Sequence, residues 1–180
     1  MLEIDMENLF RGFIKNYMSF GIRDNANWTK WTHRILGYYG QLGRMLGVSV
    51  EYEWNKFDLV WFWEEEDRKS KDPWLHIEHE NDPDRLIKLA EKAAESYSLN
   101  VVVIGYPGSK SDEEKLIHQL KKIKSEWKEA EILAIMDTVV YEEEPIPING
   151  YILRYAQKEN MLAGCKEKAK NGTYYCYMRE

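Results

Sequence analysis

Two short, continuously apolar stretches constrain the fold of this chain more than any other feature: Asn100-Val101-Val102-Val103-Ile104-Gly105-Tyr106, and Ile132 to Val140. A strand that is apolar at successive positions is buried on both faces, as in the middle of a parallel sheet. Each stretch follows a helical pattern. Asn81-Asp82-Pro83-Asp84 combines a capping residue with a proline suited to the first helical position, and Leu86, Leu89, Ala90, Ala93 and Tyr97 then lay a stripe down one face. Ser111 with Glu114 makes a capping-box signature ahead of Leu116, Ile117, Leu120 and Ile123. Helices so placed are expected to act as right-handed crossovers between parallel strands.

Upstream the texture changes. Val48 to Trp54 alternates with a period of two, Asn55-Lys56 reads as a turn, and Asp58 opens the apolar run Leu59-Val60-Trp61-Phe62-Trp63. A polar stretch over 64–73 is expected as an exposed loop, and Trp74 to Glu80 closes a three-stranded meander. Before the meander, Met6, Leu9, Phe10, Phe13, Ile14 and Tyr17 predict a helix over 5–19, capped by Asp5 and stopped by Gly21. Trp28, Trp31, Ile35, Leu42, Met45 and Leu46 predict a second, ended by Gly47. Beyond Tyr141, strands are expected at Tyr151–Tyr155 and Tyr174–Met178, and the stretch between them fits no single pattern. The expected class is α/β, a mixed central sheet flanked by helices. A single domain over 1–180 is expected, with a core at about 26–140, the N-terminal helix and a mixed C-terminal extension over 141–180.

Composition narrows the function classes. With 44% apolar and 31% charged residues the chain can bury a core and is not a disordered tail. Its longest apolar run is far short of the about 18 residues that span a bilayer. Acids at Glu3, Asp5 and Glu7 stand where a signal peptide would be basic, so a cytoplasmic location with no membrane partner is expected. Cys165 and Cys176 lack metal-type spacing. The net charge of −6 lowers the prospect of broad nucleic-acid binding and confines any such contact to a local basic surface. Gly105 to Lys110 follows a strand but lacks the spacing of a phosphate-binding loop, and His33, His76, His79 and His118 include no His-Glu-x-x-His pair. The tryptophans at 28, 31, 54, 61 and 63 are expected in the core or at a dimer contact.

The chemically informative stretch is Leu75-His76-Ile77-Glu78-His79-Glu80-Asn81. Residues two apart on a strand point the same way, so His76, Glu78 and Glu80 share one face, and His79 joins Leu75 and Ile77 on the other in a hydrogen-bonded core or interface role. Polar groups on a covered face are costly unless satisfied. If the strands pair as a hairpin, Asp58 comes near Glu78 and Glu80, and a hard divalent cation is the usual remedy for such crowding. The bland alternative is a solvated outer face, with Asp58 an ordinary strand-start aspartate.

The order helix, three-stranded meander, helix, strand, with one acid on the second strand and a pair at x and x+2 on the third, resembles the PD-(D/E)XK nuclease superfamily, the restriction-endonuclease-like fold with its αβββαβ core. The matching residues are Asp58, Glu78 and, at the usual lysine position, Glu80. The resemblance implies hydrolysis of DNA phosphodiesters dependent on Mg²⁺ or Mn²⁺. Asp58 and Glu78 would hold the metal, with the carbonyl of Ile77 or His79 nearby. Glu80, or Lys88 or Lys92 from the following helix, would orient or deprotonate the attacking water. Glu53 or Glu51 would replace the helix glutamate that many relatives carry, and Lys30, Arg34 and Arg44 would grip the DNA backbone. No proline precedes Asp58, and a glutamate stands in the lysine position. Those departures keep open a non-catalytic interaction module on the same fold, its exposed aromatics marking a homo-oligomer or protein-partner surface. A third reading is a small-molecule hydrolase using the Glu/His face with a transition metal.

Overall fold

Eight strands run across one mixed sheet in strict chain order, in a computed structural model that describes residues 5–20, 28–63, 72–96, 99–138, 145–155, 160–171 and 173–179. Asp5 caps α1 (Met6–Asn16), accepting from the amides of Glu7 at 2.9 Å and Asn8 at 3.2 Å. Met6, Leu9, Phe10, Phe13 and Ile14 form its buried stripe. The chain then tightens into a 3-10 turn at Tyr17–Phe20. The expected stop at Gly21, like the loop at 64–71, lies outside the described residues.

α2 spans Trp28–Met45, and Gly47 follows with φ +80°, a conformation glycine adopts without steric penalty. The expected stripe is wrong at its C-terminal end. Met45 is 84% exposed and Leu46 is also exposed, because the helix packs through Ile35, Leu36, Tyr39 and Gly43. At Gly43 a Cβ atom would sit 2.7 Å from the ring of Trp61, which is fully buried. Gly43→Ala is therefore expected to lower stability by about 1–3 kcal/mol through overpacking, read as a drop in the urea midpoint.

The meander forms as expected: β1 (Ser49–Tyr52), β2 (Leu59–Phe62) and β3 (Leu75–Glu80) pair antiparallel. β1 ends two residues early. Glu53, Asn55 and Lys56 take φ of 53°, 49° and 70°, which breaks the strand into a short 3-10 turn at Trp54–Lys56. Asp82 then caps α3 (Pro83–Glu95), with proline in the first turn, and Leu86, Ile87, Ala90, Ala93 and Ala94 are buried. Tyr97 lies outside the described residues.

β4 (Asn100–Gly105) is buried at every position and runs parallel to both β3 and β5 (Glu131–Asp137). The connecting helix α4 (Lys110–Glu126) is capped by Ser109 rather than Ser111. The Ser109 hydroxyl accepts from the Asp112 amide at 3.2 Å and donates to the Asp112 carboxylate at 2.7 Å. Because the sheet advances in one direction, crossovers of one hand put α3 and α4 on the same side of it.

The C-terminal extension continues the sheet as antiparallel β6 (Ile146–Leu153), β7 (Asn160–Lys168) and β8 (Tyr174–Arg179). α1 lies on β5–β8 and α2 on β1–β3, enclosing one core; α3 and α4 enclose the other on the opposite face. No described helix is long and apolar enough to cross a membrane.

Candidate functional site

The face of β3 that carries His76 and Glu78 is covered. His76 lies between Val60 of β2 and Val101 of β4, Glu78 lies beside Val103, and α3 closes over them. The Phe57 ring lies tilted against the His76 ring, 4.1 Å between centroids, with Trp54 at 6.5 Å. Both His76 and Glu78 are 0% exposed, so the solvated-face alternative fails for them. Neither ring nitrogen of His76 and neither carboxyl oxygen of Glu78 has a hydrogen-bond partner among the described residues. Burial, then the charge of Asp58, raises the Glu78 pKa from 4.5 to about 9; the Asp58 main chain, Lys92 and Arg85 offset part of this. Burial, then the Lys92 cation, lowers His76 from 6.5 to about 3. At neutral pH both side chains are uncharged.

Asp58 sits one residue before β2 and is half-buried. Its Oδ2 accepts the His79 main-chain N–H at 2.9 Å, and its carbonyl accepts the Glu53 N–H at 3.1 Å. Burial pushes the Asp58 carboxyl above the usual range; the His79 N–H opposes that, Glu80 and Glu53 add to it, and Arg85 pulls it down. Asp58 thus feels the charge of Glu80, and Glu78 feels that of Asp58.

Glu80 is already committed. One oxygen accepts from the amides of Asn81 at 2.9 Å and Asp82 at 3.1 Å, and the other meets Arg85 Nε at 2.9 Å. Of the two helix lysines, Lys88 is exposed, whereas Lys92 donates to the Asn55 carbonyl at 2.5 Å and lies 4.2 Å above the Phe57 ring. Lys92 therefore pins the strained turn that covers His76. Glu53 is exposed on that turn. Among the described residues no three His, Cys, Asp or Glu side chains come together as a group able to hold a metal ion.

The proposed DNA contacts do not form one patch. Lys30 and Arg44 stand near opposite ends of α2, roughly 21 Å apart along its axis. Arg34 donates to the Phe20 carbonyl at 3.2 Å, and Arg44 lies 5.7 Å from the Tyr52 ring. α2 packs on the sheet face opposite Glu78.

Sequence reasoning missed three features. Arg85, in the first turn of α3, is the cation paired with Glu80. Asp137 at the end of β5 is buried with Tyr17 and, at 3.4 Å, Lys166. Glu113 on α4 accepts from Thr138 at 2.6 Å and from Asn149 and Tyr151 at 2.7 Å. Nothing local marks Asp137 or Glu113, whose partners are 25 or more residues away. No protein-family model matches the chain, and no curated protein matches it significantly.

Proposed function

We propose that the chain is a divalent-metal-dependent phosphodiesterase acting on DNA, of the PD-(D/E)XK kind that its D…ExE pattern resembles. The observation that carries this reading is Glu78, a fully buried carboxyl that meets no donor in good hydrogen-bond geometry among the described residues, with only the Asp58 main chain partly offsetting its burial, set beside the charge of Asp58. An unsatisfied carboxyl in a sheet core is costly, and a cation bound there removes the cost. Asp58 and Glu78 supply two oxygen ligands; Mg²⁺ is commonly held by one or two carboxylates, with waters and substrate phosphate completing the shell. The succession α2, β1–β3, α3, β4 supports the restriction-endonuclease-like core, with β5–β8 and α1 as additions.

When bound, the ion supplies Lewis-acid activation of the phosphate and of a water. The chain's own part is positional. The His79 amide fixes Asp58. Glu80 holds Arg85 beside the acids, where its largely exposed guanidinium is available to a phosphate. Lys92, held on the Asn55 carbonyl, contributes a fixed positive charge that acts on Glu78. A non-catalytic module on the same fold is the second reading, favoured by the commitment of Glu80 to Arg85 and by the lack of a third converging ligand among the described residues.

Supercoiled and linear duplex DNA, incubated with the protein in Mg²⁺ or Mn²⁺, tests the proposal. Nicking or cleavage is expected, abolished by chelator and by Asp58→Ala. Folded wild-type protein that neither cuts DNA nor gains thermal stability in Mn²⁺ would overturn it in favour of the non-catalytic module.

A further inference from the structure

The imidazole of His79 points away from the acids, into the core beneath α2, and is held there from both sides. Nδ1 lies 3.0 Å from Thr32 Oγ1 on α2, and Nε2 lies 2.9 Å from the Tyr106 hydroxyl just past β4. The Tyr106 ring stands edge-on to it at 5.3 Å. The main chain of the same residue does something else. The β2–β3 ladder stops at the Leu59–Ile77 pair, so no β2 residue stands opposite His79. The Asp58 carboxylate takes that place, accepting the His79 N–H at 2.9 Å. On its other edge β3 stays paired to β4 through Glu80, which sets the run of the main chain, and the side-chain anchors on the far face add a second hold on the residue whose N–H meets Asp58.

We infer that His79 is a positioning residue: the Thr32–His79–Tyr106 chain fixes the main-chain N–H that orients Asp58, tying α2 and the β4 end to the acidic site. The consequence for metal binding rests on the function proposed above; the consequence for the N–H does not. A histidine that merely fills the core would share the side-chain contacts but would leave Asp58 indifferent to them.

Amide hydrogen exchange on the metal-free protein, read by NMR, tests the first link with Thr32→Val and Tyr106→Phe, each of which removes one hydroxyl. Loss of a hydrogen bond of ordinary strength is expected to speed exchange at the His79 amide about fivefold. The amides of Val102 and Leu133 in the sheet centre should keep their rates, and Thr32→Ser should restore the wild-type value. Calorimetric titration with Mn²⁺ tests the second link: both variants should bind several-fold more weakly, whereas Ile148→Val, a core change elsewhere, should not. Unchanged exchange at His79 in both variants overturns the inference, and so does faster exchange with unaltered Mn²⁺ affinity. If wild-type protein binds no Mn²⁺, the functional proposal falls and the exchange rates alone decide whether His79 positions Asp58.

Discussion

Replacing Glu78 by glutamine is expected to stabilise the metal-free protein by about 3 kcal/mol at pH 7. Most substitutions in a core do the reverse. The reason is that this carboxyl holds its proton to about pH 9 when folded, against 4.5 for the unperturbed group. Below pH 4.5 both states are protonated and the group contributes nothing to the pH dependence. As pH rises from 4.5 towards 9 the unfolded state releases the proton and the folded state keeps it, so stability falls by about 1.4 kcal/mol per pH unit. Glutamine keeps the shape and removes the titration. Urea unfolding should therefore show an advantage for Glu78→Gln of under about 1 kcal/mol at pH 5, about 3 at pH 7 and about 6 at pH 9. A constant difference across that range would mean that Glu78 is already paired. The same variant should lose the thermal stabilisation by Mn²⁺, so that the change gains stability and removes the ligand at once.

The acid limb is the second large effect. His76 and His79 are held neutral, lowered chiefly by burial to about 3 and about 4. A base with a depressed folded pKa contributes its full stability above its unfolded pKa of 6.5 and loses it as pH falls, because the unfolded state takes up the proton first. Between pH 6.5 and pH 4 each histidine should withdraw about 3 kcal/mol, and Glu78 returns about 3 over the same range. The metal-free protein should thus be most stable near pH 6.5 and lose stability on both sides. His76→Phe, which keeps an aromatic ring against Phe57, should remove about half of the histidine loss. An unaltered acid limb in that variant would show that His76 is solvated or paired in the folded protein.

These effects depend on features with unequal traces in the sequence. The meander, the two crossovers, the Asp5 and Asp82 caps and the facing of β3 follow from periodicity and capping chemistry, which are local. The alternation along Leu75–Glu80 placed His79 opposite His76 and Glu78, as the structure has it. The fate of each polar group was not local. Glu80 is a free carboxylate by sequence, yet Arg85 and two amides take it up once α3 turns back over β3. Lys124 has the spacing of a solvated lysine but is buried, its ammonium donating to the carbonyls of Trp127 at 3.2 Å and Lys128 at 2.6 Å at the end of α4. Met45 and Leu46 continue the apolar stripe of α2 past the point where β1 leaves the helix, and so stay exposed. β7 lacks a clear strand signature partly because α1 crosses it at Gly164, where Ile14 leaves no room for a side chain.

Crystals grown in Mn²⁺ and measured near the manganese absorption edge test the central claim most directly. One anomalous peak is expected within about 2–2.5 Å of both the Asp58 and Glu78 carboxylates, with Glu78 ionised and bound. A map at saturating Mn²⁺ with no peak there, and Glu78 still buried without a ligand, would contradict it.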